Sequence, residues 1–427
     1  MRRLIFSIFV LLIIFTGICA GIATDKRFMK QNEEISADTL VQLLSSGYYI
    51  RLDSCTILGR LVYHGRIQQE LLIVNSTFDD IIDFSEAIIA GGIGFVNSTF
   101  LDTVSFKNSQ FGDSSTTKEF ASFTHTKFEG PVSFASSKFY IQSSFAYTTF
   151  EKNASFINVT FRKRTDFRST VFEGYAHFEM VKFLSFAGFM NSRFDAKSEY
   201  QIDDTRANFG SSYILSVDFS NTKLGKVIME PDSISMNSFS TFALAKGLSE
   251  LKFRKKGETL SRLKSYFRLN HYRQAEREIT CALKRHDQNW FEEIVFDYTS
   301  EYGSNFWRPI KILFWIWLIA SVIYSFFLII AQNSLIISRT EPLGTKIVYK
   351  QISVLSKIGF AFFFSLLCTF NIGLRGFNFG RILKLLLKKQ TEFRPTGALR
   401  PISAFQALLS VFLIGLWILS YFGRPFD

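Results

Sequence analysis

Five histidines and four cysteines are the residues of this 427-residue chain best suited to hold a metal or to run nucleophilic chemistry. Their spacing argues against both. His64, His125, His177, His271 and His286 make no i,i+3 or i,i+4 pair, the spacing that puts two imidazoles on one helical face. Cys19, Cys55, Cys281 and Cys368 form no CxxC, which argues against a zinc site and against a disulfide framework. The chain also carries no glycine-rich phosphate loop, nucleophile elbow or paired-carboxylate signature. We therefore expect no enzymatic activity, no cofactor and no metal. Two polar stretches remain as candidate contact sites. Arg162, Lys163 and Arg164 form a dense basic cluster. Asp113, Ser114, Ser115, Thr116, Thr117 and Lys118 form a polar stretch out of phase with its surroundings, a candidate recognition loop.

Both stretches sit within a repeat. Phe stands at 95, 100, 106 and 111, then at 123, 128, 134, 139, 145 and 150, and onward to 194 in alternating steps of five and six. Two residues before each stands a small side chain or Val, as in Ser98, Val104 and Ser109; Ile93, before Phe95, is the exception. Neither step is a whole number of helical turns, so a longer repeat has to be sought. Residues two apart on an extended segment face the same way, so each half-unit buries a small group and a Phe together. Polar and small residues then make a corner. A chain that turns this often must coil, with coils stacked ~4.8 Å apart. Each buried Phe contributes ~1.5–3 kcal/mol, and only a stack of coils can fold. The segment Gly112–Ser122 adds six residues and breaks the phase once. Phe209 and Phe219 are expected to fall off the ladder.

These small-x-Phe half-units resemble the pentapeptide repeat proteins, in the variant with alternating five- and six-residue faces. The resemblance covers about Leu52 to Leu224. It implies an all-β right-handed quadrilateral β-helix of six or seven coils, a rod roughly 30 Å long at the strand spacing. Some relatives mimic DNA through a strongly acidic surface. Acidic residues only slightly outnumber basic ones between 72 and 224 here, so no nucleic-acid partner is expected. Asn75, Asn97, Asn153 and Asn158 open Asn-x-Ser/Thr sequons, and within the repeat Asn reads as a turn residue. Glu129, Glu151, Glu173 and Asp195 fall just after ladder Phe residues and read as solvated corners.

Flanking segments complete the organisation. Residues 1–23 have two Arg, an apolar core and small residues near 20–23, the pattern of a signal peptide or an uncleaved anchor. Within 34–51, Ser36 can cap a helix carrying Leu40, Leu43 and Leu44, with Gly47 ending it. Such a helix would cover the edge of the repeat region 52–224. Residues 225–305 read as a helical linker, in which HYRQAEREITCALKRH resembles half of a tetratricopeptide-like hairpin. The remainder, 306–427, is a membrane region with spans at about 312–331 and 402–422, and Trp307, Trp315 and Trp317 toward one end of the first.

Between the spans lies an apolar segment, 354–374, short for a crossing. The arrangement resembles the C-terminal half of membrane-bound pentapeptide repeat proteins, some of which carry a span, pore helix, filter and span. Thr369, Phe370, Asn371, Ile372 and Gly373 occupy the filter's place. The Tyr-Gly pair of a potassium filter is absent, so carbonyl-lined potassium selectivity is not implied. The net charge of +12 lies mostly in the second half. From 332 to 401, eleven Lys and Arg face only Glu341 and Glu392. The positive-inside rule puts that stretch in the cytoplasm if 354–374 is re-entrant; three spans would put RILKLLLKK outside, against the rule. Two spans are favoured, with RILKLLLKK as a basic amphipathic segment on the inner surface. The expected protein is a multi-pass cell-membrane scaffold with its β-helix extracytoplasmic, non-enzymatic, facing the lipid membrane and an unidentified protein, with a homo-oligomer left open. The alternative is an ion-channel-like oligomer or sensor.

Overall fold

The computed structural model describes residues 26–113, 120–196, 205–229, 231–234, 238–252, 258–287, 289–330, 335–340, 346–348, 353–370 and 391–422. The chain divides into two compact units, one ending at Ala275 and the other starting at Glu276.

The first unit is a parallel β-solenoid of about nine turns with four faces. The second and third faces are eight-stranded sheets. The first and fourth merge into one fifteen-stranded sheet because Lys182–Gly188 and Ser212–Asp218 run around the corner between them. Within the regular coils partners are 22 positions apart, as in Lys127↔Thr149 and Val132↔Ala154. Every ladder Phe from Phe78 to Phe219 is 1% exposed or less, so the interior is four columns of rings. Phe100, Phe128, Phe150 and Phe172 stack at 5.0–5.2 Å, and Phe106, Phe134, Phe156 and Phe178 at 4.9–5.1 Å. Neighbouring columns meet edge to face, as Phe134 and Phe145 do at 83°, the geometry the ring quadrupole prefers.

Local chemistry makes the corners. After Phe145 comes Ala146, then Tyr147 with φ 59°, then Thr148, whose N–H returns to Phe145 O at 3.2 Å. A positive φ at the third place is the mark of a type II turn. The five-residue corners repeat it at Asn97, Asn108, Ser136, Asn158, Ser169 and Asn191. Asn tolerates this region better than most side chains, which accounts for three of the four sequon asparagines, Asn75 included. The next residue, usually Ser or Thr, satisfies the coil below: Thr148 Oγ1 donates to Phe123 O at 2.6 Å and Thr170 Oγ1 to Phe145 O at 2.7 Å. Some of the six-residue corners use another device. At Gly130 and Gly174 a Cβ would come within 2.3 and 2.2 Å of the backbone at Asp102 and Lys152, so only glycine fits.

Two readings of the ladder change. Phe209 and Phe219 are on it: Phe209 stacks on Phe178 at 4.6 Å and Phe219 on Phe189 at 5.3 Å. Extra residues after Phe194 shift the numbering without shifting the packing. The rod also has more turns than the six or seven expected. Its parallel pairing starts with Arg27↔Tyr49 and continues past Leu224 to a bridge between Ile228 and Lys252.

Helix α1 (Ala37–Ser45) has Ser36 as N-cap, its Oγ accepting from Asp38 N at 3.2 Å. It follows strands on the first two faces and takes the place of the other two, packing on the strand Leu61–Val62 of the next coil with Leu40 and Leu44 buried. At the other end α2 (Glu258–Leu269) buries Leu260, Leu263 and Phe267, and Tyr266 meets Phe239 at 5.4 Å. Each end of the stack therefore meets a helix.

The second unit begins within α3 (Arg273–Asp287), which leads through short helical turns to α4 (Trp307–Ile330), α5 (Val354–Thr369) and α6 (Leu399–Phe422). Helices α4 and α6, 24 residues each, are long and apolar enough to cross a membrane; α5 is shorter. The three pack around Ala320, Tyr324, Leu328, Ala361, Phe364 and Leu399. Phe306 meets Tyr421 at one end and Tyr324 meets Gln406 further along, so α4 and α6 are antiparallel. A small antiparallel sheet pairs Leu335–Thr340 with both Lys346–Val348 and Thr391–Pro395.

Candidate functional site

Residues one before and one after each ladder Phe point out of the rod, so the surface is written in columns. On the second face Lys127 lies 2.7 Å from Glu129 and 2.8 Å from Glu151, and their hydrogen bonds, Glu129 first, raise its pKa above the ordinary lysine value. Lys223 approaches Asp195 at 2.7 Å. Glu129 is thus paired within its own coil, and Glu151 and Asp195 across coils, while all three stay partly solvated. On the third face, small outward side chains leave a shallow groove of about 500 Å³ along Ser105, Ser133, Ser155 and His177, with Lys107 beside it. In the coil before the groove, burial opposes ionisation of Asp83, but hydrogen bonds from Ser85 and then His64 outweigh it and hold the carboxyl below its usual range.

The fourth face differs. Lys138, Arg162, Lys163, Arg164 and Lys182 are exposed, and among the described residues no carboxylate lies within ion-pair reach of them. Arg162 lies over the Tyr140 ring at 4.7 Å and Arg164 over Phe186 at 4.9 Å. Stacking of this kind holds a guanidinium in place while leaving its donors free.

Of the candidate loop, Asp113 is half-buried and meets Arg66 at 3.5 Å; Ser114, Ser115, Thr116, Thr117 and Lys118 lie outside the described residues. The insertion makes Thr99 pair with Lys127, 28 positions on rather than 22. In sequence the extra six residues fall between the fourth-face strand Gln110–Phe111 and the first-face strand Phe120–Ser122. Among the described residues Phe123 is tilted against Phe95 across the insertion (6.0 Å, 35°), while Phe100 and Phe128 stay stacked.

Of the filter-like segment, Thr369 ends α5 and Phe370 follows as its half-buried cap; Asn371, Ile372 and Gly373 lie outside the described residues. Thr369 is 2% exposed, and its hydroxyl donates to Ser365 O at 2.9 Å while accepting from Gln406 Nε2 at 3.0 Å. Gln406 organises this region. Its Nε2 also donates to Ser365 Oγ at 2.9 Å, and its Oε1 accepts from Tyr324 Oη at 2.6 Å. Ser365 Oγ in turn donates to Trp317 O at 2.9 Å. One amide therefore ties together all three apolar helices, the kind of polar contact that joins helices where apolar surface drives nothing. The sequence reading missed Gln406. Its signal was plain: it is the lone amide in the run 402–422.

Comparison with family models gives a match to the one described as pentapeptide repeats (9 copies), over residues 73–119 and 123–171. The rod is a pentapeptide repeat solenoid. The match breaks near the insertion and stops before Phe172, yet parallel pairing of the same kind continues on both sides of it. Comparison with curated proteins finds no match. Among the described residues no three His, Cys, Asp or Glu gather as a metal site would need.

Proposed function

We propose that this chain is a non-enzymatic, membrane-anchored scaffold that holds its pentapeptide repeat solenoid outside the cell membrane for a protein partner to read. The observation that carries the anchoring is the path of the chain through the second unit. Strand Leu335–Thr340 starts five residues after α4 ends, and it pairs with Thr391–Pro395, which ends four residues before α6 begins. Sheet backbone is not stable against lipid, so the end of α4 and the start of α6 belong on one side of the bilayer. Helix α5 leaves from that same sheet. At about 1.5 Å per residue its 16 residues rise ~24 Å, short of the ~30 Å core. Its far end, at Thr369, reaches only Gln406, in the first half of α6. The chain then has to return to Thr391. This path supports two crossings with α5 re-entrant, and all the Lys and Arg of 332–401 then fall on one side, the cytoplasmic one. The solenoid falls on the other.

A topology reporter fused after Asp427, compared with one inserted within 371–390, tests this. The C-terminal reporter should work only outside the membrane and the internal one only inside. A cytoplasmic C-terminus refutes the re-entrant path. For the scaffold role, site-specific crosslinkers on the 113–118 loop and at Lys182 should trap a protein in cells; crosslinking to nothing but lipid would refute it.

A second reading, an oligomeric channel-like unit, is favoured by one observation: a short apolar helix between two spans ends inside the bundle at Thr369. Proteoliposomes of the purified chain should then pass ions, and substitutions across 369–373 should change that flux. No flux in the intact chain ends this reading.

A further inference from the structure

Residues 289–300 form a short irregular helical run before α4: Trp290–Glu292, a π-helical turn Glu293–Asp297, and Tyr298–Ser300. The run is capped by Asn289, whose Oδ1 accepts from Glu292 N at 2.9 Å. Its surface is inverted relative to what water selects. Trp290 is 74% exposed, Tyr298 61%, Ile294 56% and Phe291 54%. The acidic residues Glu292, Glu293 and Asp297 are half-buried, as are Val295 and Phe296 between them.

Ion pairs fix that orientation. Arg285 reaches both oxygens of Asp297 at 2.6–3.0 Å, a forked pair of high geometric specificity. Arg308, at the start of α4, donates to Asp297 O at 3.2 Å and meets Glu301 at 2.9 Å. The polar side is thus held against the second unit, and the side bearing Trp290, Ile294 and Tyr298, four residues apart and so on one helical face, is turned outward.

We infer that this face lies in the headgroup–acyl boundary of a lipid bilayer, as an interfacial segment leading into the first span. The inference rests on the membrane reading above. The occupant is lipid because the exposed apolar surface continues into α4, where Trp307 is 57%, Trp315 59% and Phe314 53% exposed. The run also packs on α4 and α6 themselves. Trp and Tyr are the side chains enriched at the membrane–water boundary, apolar in the ring and polar at one atom. An amphipathic run with this surface lies in the interface plane rather than crossing it.

The test uses the full chain in phosphatidylcholine–phosphatidylglycerol liposomes, with its four native cysteines replaced by Ala. A nitroxide is placed by Trp290→Cys, Ile294→Cys or Tyr298→Cys, and for reference by Lys138→Cys on the rod and by Val322→Cys or Leu408→Cys on the exposed sides of α4 and α6. Collision with oxygen and with a water-soluble nickel chelate reads depth. The ratio of oxygen to nickel collisions at 290, 294 and 298 should exceed that at 138 several-fold and fall below that at 322 and 408. If the three sites match 138 while 322 and 408 read as lipid, the inference fails and the membrane reading stands. If 322 and 408 also match 138, the membrane reading fails first. Shielding of the three sites from both reagents would mean a protein cover, which also overturns the inference. Should the cysteine-free chain misfold, brominated lipid provides a second measurement: a chain that keeps Trp290 and has its other four Trp replaced by Phe should be quenched, and absence of quenching overturns the inference.

Discussion

Replacing Phe145 by Ala should destabilise the rod close to the most that a single side chain can. Its ring is fully buried and stacks between Phe123 at 5.0 Å and Phe167 at 4.8 Å, with Phe134 and Phe156 edge-on at 5.3 and 5.5 Å. Each neighbour is itself fixed by a parallel ladder, so the hole cannot close by collapse. The cost should therefore lie toward the top of the range for Phe→Ala, about 3–5 kcal/mol. With a urea slope of roughly 3 kcal/mol/M, the midpoint should fall by more than ~1 M. Phe145→Leu keeps most of the volume and should cost less than about 1.5 kcal/mol. In a stack whose coils bind only their neighbours, Phe84→Ala should cost less than Phe145→Ala, since Phe84 has a ring partner, Phe106, on one side of its column only. Urea titration of the full chain in detergent, followed by far-UV circular dichroism, measures all three. If Phe145→Ala moves the midpoint no further than Phe145→Leu does, or if Phe84→Ala costs as much, the ring columns are not what holds the rod together.

Met180 sits exposed at a left-handed corner, φ 58°; Met180→Asn should raise stability by up to ~1 kcal/mol, and Met180→Val should lower it, both read as urea midpoints. Gln406→Leu strands the Tyr324 hydroxyl and should cost about 1–3 kcal/mol, part of it recovered in Gln406→Leu/Tyr324→Phe; SDS titration of the second unit's helicity checks this, and no recovery would mean the amide acts alone. Asp83 has a depressed folded pKa. Its contribution is present above the unfolded value near 3.9 and is lost as pH falls through the lower folded value. The stability gap between the native chain and Asp83→Asn should therefore be constant near neutrality and close in acid. Burial pushes the Cys281 thiol up to about 12, against the lowering effect of Arg285, so a neutral thiol reagent at pH 8 should leave Cys281 unmodified until the chain is unfolded.

The solenoid was legible because its interior repeats one rule every five or six residues, and a rule that repeats can be counted. Where insertions broke the count, as before Phe209, the sequence reading lost a ladder that the packing keeps. The corner glycines were missed for a different reason. Gly130 and Gly174 matter through a backbone one coil away, and that proximity appears only when the coils are stacked. The ion pairs along the second face were not visible beforehand because Lys127 and Glu151 are 24 positions apart and meet only across a coil. In the second unit, hydropathy located α4 and α6 but said nothing of what joins them. Gln406, Ser365 and Thr369 come together from two helices through a contact with no sequence period. The inverted face at 289–300 was hidden because Trp, Phe, Ile and Tyr there read equally well as core.

The same regularity restricts where recognition can reside. Phe, Val, Ala, Ser and Thr fill the interior of the middle coils, and Ile and Leu most of the first ones, so the buried inside of the rod offers a partner nothing to read. Only the outward positions and the corners are free to vary, and they vary by face. The second face turns its charges on each other, as Lys127 does with Glu129 and Glu151. The fourth face keeps Lys138, Arg162 and Lys182 unpaired on three successive coils, in columns set by Lys138↔Thr160↔Lys182. Charges already paired within the rod give up an existing partner when they bind another, and unpaired ones do not. A partner that reads this rod by charge should therefore be acidic and should approach the fourth face. Lys138→Glu together with Lys182→Glu should abolish its capture without moving the urea midpoint by more than about 0.5 kcal/mol, the usual range for exposed sites. Capture that survives this double reversal would place recognition on another face or on the inserted loop.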